Sequence, residues 1–242
     1  MKITILGSGT SGGVPMIGCD CNVCNSSDPK DKRLRCSVLI EINNQTFVVD
    51  AGPDFRQQML RKNVKKLDAI LLTHQHKDHT AGLDDIRAYN YFQQKPMDIY
   101  LTAETEHAVR KEYHYVFEEK VYPGIPEMKL FRFENNPFNI GEVKFIPVEV
   151  KHLNMKVYGF RINNFTYITD ANFISDIEKE KIKGSEVLVL NALRKTKHIS
   201  HFNLQEALEV IEEIKPGKTY LTHLSHQMGK HTDVEKELPE NV

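Results

Sequence analysis

Residues 67–85 read LDAILLTHQHKDHTAGLDD, and the reading of the whole chain turns on them. Leu67 to Leu72 is an apolar run broken only by Asp68, the pattern of a strand buried on both faces. It gives way to His74-Gln75-His76-Lys77-Asp78-His79, and a helical spacing then resumes through Leu83, Ile86 and Tyr89. A buried strand therefore delivers a tight polar loop that runs into a helix. In extended chain, His74 and His76 lie on one side and converge on a point. Asp78 and His79 fall where the chain has turned, so their side chains can address a second centre nearby. Three imidazoles and a carboxylate within six residues are costly to bury without a cation, and neutral imidazole and carboxylate are the usual ligands of zinc and similar metals.

Upstream, residues 36–42 and 45–50 form a hairpin pattern around Asn43-Asn44. Its second strand ends Val48-Val49-Asp50-Ala51-Gly52-Pro53. Asp50 fits two roles equally, the cap of a helix over 53–62 or the acceptor for a ligand's imidazole N–H. Downstream, 97–101 reads as a strand and 103–119 as a helix. His107 and His114 lie there among many charges, as surface groups do. Tyr113, Tyr115, Phe117 and Tyr122, followed by Pro123-Gly124-Ile125-Pro126, suit core packing or, less readily, a lid or substrate wall.

The second half repeats the pattern of the first. Strands are expected at 128–133, 143–150, 158–162, 165–169, 186–190 and 218–221, with helices at 175–182 and after Asn203. Strand ends again carry polar residues: His152, Asp170 and His223. Sheet-based sites collect residues at such ends. With the histidine-rich loop present, His152 and Asp170 become expected ligands, and Asp170 is suited to bridge two cations with one oxygen on each. His201, at a helix entrance, can exchange a proton or hold an anionic group, whereas His198 reads as a solvated loop residue. His223 and His226, three residues apart, can serve different centres. His231 falls in a short polar helix or turn.

The chain opens with a short strand, residues 2–6, and a glycine-rich loop, Gly7 to Gly13. No GK[ST] ending and no following helix make it a nucleotide cradle; it reads as a loop with unusual backbone angles near a site. Cys19-Asp20-Cys21-Asn22-Val23-Cys24 is too tightly spaced for three core cysteines and suits thiolates gathered on one soft cation, with a fourth ligand from elsewhere. Cys36 reads as a small buried hydrophobe. Four cysteines, three of them in that one loop, do not make a disulfide framework.

The 242 residues are enough for one large domain or two small ones. Lys and Arg total 32 against 33 Asp and Glu, a formal net charge of −1, so no broad basic footprint for nucleic acid is expected. No run approaches the ~18 apolar residues of a membrane span, and MKITILGSG has no signal-like apolar region; a cytoplasmic location with no membrane partner is expected. Nothing in the residues decides between a monomer and a homodimer.

H-x-H-x-D-H after a buried strand resembles the signature of the metallo-β-lactamase superfamily of metallohydrolases. Asp50, the 74–79 loop, His152, Asp170 and His223 fall in the superfamily's order over nearly the whole chain. The resemblance implies an α/β fold, a four-layer αββα sandwich, as a single domain over 1–242 with a small zinc loop at 19–24. It also implies that Asp50 accepts from a ligand's imidazole. GSGTSGGVP (7–15) and His201-Phe202-Asn203 are similar to the opening and a histidine motif of the tRNase Z group. C-x-C-x-x-C together with LTHLSHQMG (221–229) resembles the PhnP-type cyclic-phosphate phosphodiesterases. That resemblance implies a structural zinc on Cys19, Cys21, Cys24 and His226. It further implies a first active-site metal on His74, His76 and His152, a second on Asp78, His79 and His223, and Asp170 bridging them. Zinc and manganese both suit such ligands. The implied activity is hydrolysis of a small phosphodiester by a metal-activated water, with Asp78 and Asp170 in the machinery and His201 steadying the phosphoryl group or protonating the leaving oxygen. A thioesterase or lactonase of the same superfamily, or a non-catalytic PqqB-like protein, is the alternative; PqqB-like proteins can lack part of the metal set, which is complete here. The tRNase Z group grips RNA with a basic arm. Residues 103–126 hold more acids (Glu104, Glu106, Glu112, Glu118, Glu119) than bases, so tRNA is not an expected partner.

Overall fold

The computed structural model describes residues 1–118 and 124–242. Its contacts divide into two compact units, Met1–Leu6 with Cys36–Glu134 and Gly7–Arg35 with Asn135–Val242.

The first unit is built on a six-stranded sheet in sequential order: β1 (Lys2–Gly7), β2 (Ser37–Ile42), β3 (Gln45–Val49), β4 (Ala69–Leu71), β5 (Met97–Leu101) and β6 (Met128–Arg132). β2 and β3 pair antiparallel across the Asn43-Asn44 turn, both left-handed as asparagine tolerates. β3, β4, β5 and β6 are then parallel neighbours. Parallel pairing forces each link to cross back over the sheet, and the links hold α1 (Phe55–Lys62), α2 (Lys77–Thr80), α3 (Arg87–Gln93) and α4 (Ala103–Glu112). Val48, Val49, Ile70 and Leu71 are fully buried, as the uninterrupted apolar runs require. Because the strands run the same way, Asp50, Thr73 and Thr102 all emerge at one edge.

The helix expected over 103–119 ends at Glu112, where Tyr113 leaves helical geometry. Glu106 there is locked between Arg110 and Arg132 at 2.6 Å each, and these guanidiniums hold its carboxyl below the usual range. The aromatic segment packs: Tyr113 is buried and donates to the Thr80 carbonyl at 2.9 Å, while Tyr115 donates to Asp84. Tyr115 and Phe117 lie against the same apolar core. Glu119, Tyr122 and Pro123 of that segment lie outside the described residues.

The second unit is built on a seven-stranded sheet: β7 (Phe138–Ile140), β8 (Val143–His152), β9 (Met155–Ile162), β10 (Phe165–Ile168), β11 (Phe173–Ile174), β12 (Val187–Asn191) and β13 (Lys218–Thr222). The order is β11-β8-β9-β10-β12-β13, with β7 on β8. β8, β9 and β10 are antiparallel; β10, β12 and β13 are parallel. β7 and β11 carry too few residues for a period to show. β9 starts at Met155 rather than Tyr158, extending the β8 hairpin to His152. Helices α5 (Asp176–Ile182), α6 (Leu204–Ile214) and α7 (His231–Val234) follow. Asn203 and Glu206 close a reciprocal capping box that fixes where α6 begins. The glycine-rich loop is stitched to the residue after His223: Leu224 donates to the Ser8 carbonyl at 2.8 Å and Thr10 to the Leu224 carbonyl at 3.0 Å. A Cβ on Gly9 would sit 2.7 Å from the Arg33 carbonyl oxygen, so close backbone approach explains that glycine.

In the first unit the loop bearing Asp78 is wedged against Gly52, where a Cβ would lie 2.0 Å from the Asp78 carbonyl oxygen. Gly52→Ala is expected to destabilise by about 3 kcal/mol or more, and Gly12→Ala, with only Met16 at 3.8 Å, by under about 0.5 kcal/mol. Thermal melting of the two variants checks this.

Candidate metal centre

In the first unit β4 ends at Leu71, and Thr73 and His74 leave its carboxyl end fully buried. The His74 and His76 rings sit edge to face with centroids 4.6 Å apart, as residues two apart in extended chain should. The His74 and His79 centroids are 4.3 Å apart. His79 Nδ1 lies 2.7 Å from Asp50 Oδ2 in a wholly buried pair. Asp50 is therefore the imidazole's acceptor, while Asp54 takes the cap position of α1. Thr73 donates to Asp50 from both its backbone N–H (2.9 Å) and its hydroxyl. Burial pushes the Asp50 carboxyl above its ordinary range, against the opposite pull of His79 and Thr73.

With Nδ1–H given to Asp50, neutral His79 presents a lone pair on Nε2. That atom faces Asp78 Oδ2 at 3.2 Å. Two lone pairs at that distance repel unless a proton or cation lies between them, so the donor set fits a divalent metal. Cys36 is buried, as a small hydrophobe is expected to be, and its sulfur also lies within 4.8 Å of a His79 nitrogen. The sequence offered no signal for that proximity, because it arises from pairing across the sheet.

In the second unit β10 and β13 flank β12 in parallel and end at the same edge of the sheet. Asp170 and His223 both hold left-handed backbone, with φ of 53° and 56°. Asp170 Oδ1 lies 2.9 Å from His223 Nδ1, and Oδ2 lies 3.5 Å from His201 Nε2. Thr169 donates to Asp170 Oδ1 at 2.6 Å. The Asn191 amide clamps Ala171 by accepting from its N–H and donating to its carbonyl, each at 2.9 Å, which fixes the turn that aims Asp170. His152 Nδ1 gives its proton to the Ser200 carbonyl at 2.7 Å, leaving Nε2 with a lone pair. Ligand atoms of His152, Asp170 and His201 all fall within 4.8 Å of one another.

His198 is not a solvated loop residue. It is half-buried, with Nδ1 3.3 Å from both Ser200 Oγ and His201 Nδ1, and burial with the neighbouring His201 lowers its pKa. The loop folds back on itself there, which residue types alone do not announce.

The cysteine loop also lies in the second unit. Cys19 and Cys21 sulfurs are each 3.3 Å from His226 Nδ1, and Cys24 completes a set within 4.8 Å. Tetrahedral zinc separates sulfur and nitrogen by about 3.6 Å, from bonds of about 2.3 and 2.1 Å, so the set has the right size. The Cys24 N–H and His226 pull the Cys21 thiol down to about 6, while burial pushes Cys24 up to about 11. His223 faces Asp170 and His226 faces the cysteines, three residues apart across the end of β13. His107 is exposed, His114 lies 3.9 Å from Glu118 and edge to face with Tyr115, and His231 starts α7 with its N–H on Asp31.

The family model described as "Beta-lactamase superfamily domain" matches residues 45–224. A crystal structure of a diphosphatase from the PhnP family superposes with a TM-score of 0.92 at 38% identity, covering 99% of this chain and 92% of that one. Zinc-bound PqqB from Methylobacterium extorquens superposes with a TM-score of 0.75 at 18% identity, covering 98% and 95%, a likeness of fold. A Porphyromonas gingivalis protein named octanoyltransferase is 37% identical over 245 residues, covering all of this chain and 49% of that protein. The chain spans no more than about half the length of the curated relatives it matches.

Asp50→Asn keeps shape but removes the charge that orients His79. It is expected to weaken divalent-metal binding by about 10- to 100-fold, read by calorimetric titration of metal-stripped protein.

Proposed function

The chain belongs to the metallo-β-lactamase superfamily, and from that premise we propose that it is a metal-dependent phosphodiesterase acting on a small, cyclic or nucleotide-like diester. In this reading His74, His76 and His152 hold one divalent cation, zinc or manganese. Asp78, His79 and His223 hold a second, and Asp170 serves both. The observation that carries it is Asp170 itself: a buried carboxylate on left-handed backbone, its two oxygens turned to different imidazoles. A carboxylate so held is suited to sharing two cations. The 38% identity with a PhnP-family diphosphatase supports the phosphoryl chemistry.

Bound cations would lower the pKa of water and draw charge from the phosphoryl oxygens. The protein's own groups do the rest. Asp50 and the Ser200 carbonyl fix the tautomers of His79 and His152, so the nitrogens facing the site are acceptors rather than donors. His201 sits beside Asp170 and shares its Nδ1 with Ser200 and His198. It is suited to hold a phosphoryl oxygen or to give a proton to the leaving one. Cys19, Cys21, Cys24 and His226 hold a structural zinc that pins the 16–25 loop to the end of β13. Pre-tRNA is not the proposed substrate, given the acids of residues 103–118. Among the described residues no helix is long and apolar enough to cross a membrane.

The relative named octanoyltransferase favours a second reading, hydrolysis of a carboxyl ester or thioester on the same ligands.

The deciding experiment is hydrolysis of bis(p-nitrophenyl) phosphate by protein loaded separately with zinc and with manganese, set beside thioester and lactone substrates, with metal counted per chain. Turnover of the diester, lost on chelation, is expected. Turnover of the carboxyl esters alone establishes the second reading, and full metal loading without any turnover establishes a non-catalytic, PqqB-like protein. His76→Ala and Asp78→Ala are expected to abolish diester turnover with melting unchanged; retained turnover removes the two-metal assignment. Cys21→Ser is expected to lose one zinc per chain and to lower the melting temperature, and an unchanged metal count overturns that assignment.

A further inference from the structure

Four described hairpins turn on two residues: Asn43-Asn44, Gly141-Glu142, Leu153-Asn154 and Asn163-Asn164. The first residue of each is left-handed, with φ of 50°, 58°, 57° and 54°. Glycine and asparagine take that conformation readily, whereas a branched apolar side chain is strained in it. Leucine at 153 is therefore the wrong residue for its turn, and it is 51% exposed, so little burial offsets the strain. Strain kept where nothing structural needs it points to function.

Leu153 directly follows His152. The Asn172 side chain ties it to a second exposed apolar residue: Leu153 N–H donates to Asn172 Oδ1 at 2.8 Å, and Asn172 Nδ2 donates to the Ile199 carbonyl at 3.2 Å. Ile199 is 73% exposed and lies two residues before His201. The His152 and His201 rings are 4.5 Å apart between centroids. Phe173 is also exposed, but it pairs opposite Lys151 and so projects from the sheet face opposite to His152.

We infer that Leu153 and Ile199 form an apolar lip beside His152 and His201 that receives an aryl ring of the substrate. The inference rests on the proposed hydrolytic reading of those histidines. A protein partner does not fit: a stable interface buries roughly 800 Å² per side, and two side chains supply a small part of that. One ring is the matching occupant.

The test uses phenylphosphonate and methylphosphonate, which differ only in the apolar group and are not hydrolysed, titrated calorimetrically into the metal-loaded protein. Phenylphosphonate is expected to bind roughly tenfold tighter, the factor that partial covering of one ring gives. Leu153→Asn and Ile199→Asn are each expected to cut that preference to about threefold, as half the lip is lost, with methylphosphonate affinity unchanged. Leu153→Asn is also expected to melt at a higher temperature, since asparagine suits the turn. Absence of a phenyl preference in the parent, or a preference untouched by both variants, overturns the lip. So does sedimentation showing that the variants dissociate a parent dimer. Turnover of bis(p-nitrophenyl) phosphate, measured alongside, separates the two readings. Turnover without phenyl preference removes the lip and leaves the phosphodiesterase. Phenyl preference without turnover does the reverse.

Discussion

Buried imidazoles and carboxylates cannot be held side by side without something that satisfies their charge and their lone pairs, and both units are arranged around that constraint. In the first, the wholly buried Asp50–His79 pair settles which nitrogen of His79 carries the proton, and so which lone pair looks toward Asp78. In the second, the Ser200 carbonyl does the same for His152. Each uses a protein acceptor to fix a tautomer, and each leaves basic atoms pointing at one another. A divalent cation is the natural resolution.

Backbone strain is spent on the same residues. Asp50, Asp170 and His223 all hold left-handed φ, a conformation that costs roughly 1 kcal/mol or more for a residue with a Cβ. Local bonds over-determine it: Thr73 and Ser37 around Asp50, and Thr169 and the Asn191 clamp around Asp170. The sharp turn ends the strand and swings the side chain across the sheet edge instead of letting it continue the alternation. Asp50 and Asp170 also hold equivalent places in their sheets, each after the second strand of a hairpin and beside a parallel neighbour.

Local chemistry was legible where it recurs within a few residues. The apolar run before His74, the asparagine turns at 43–44 and 163–164, and the helix start after Asn203 could be read directly. The spacing of His74, His76, Asp78 and His79, and that of the three cysteines, announced metal-type donors. Elements of two or three residues, such as β11 and β7, left no period to detect. The helix over 103–119 stops early because Tyr113 and Tyr115 gain more from the core and their hydroxyl partners than from continuing the helix.

The sequence by itself determined the donor types, their order and their places at strand ends, because periodicity and turn chemistry act over distances a short stretch contains. It left Asp50 between cap and acceptor, and it did not show that His198 meets His201 or that the buried Cys36 lies near His79. Only the tertiary structure decided these, since each depends on a partner far along the chain: Asp50 on His79, 29 residues away, and Cys19 on His226, 207 residues away. Which atoms meet across such separations follows from strand register and parallel pairing, which are properties of the packed sheet and not of any local stretch.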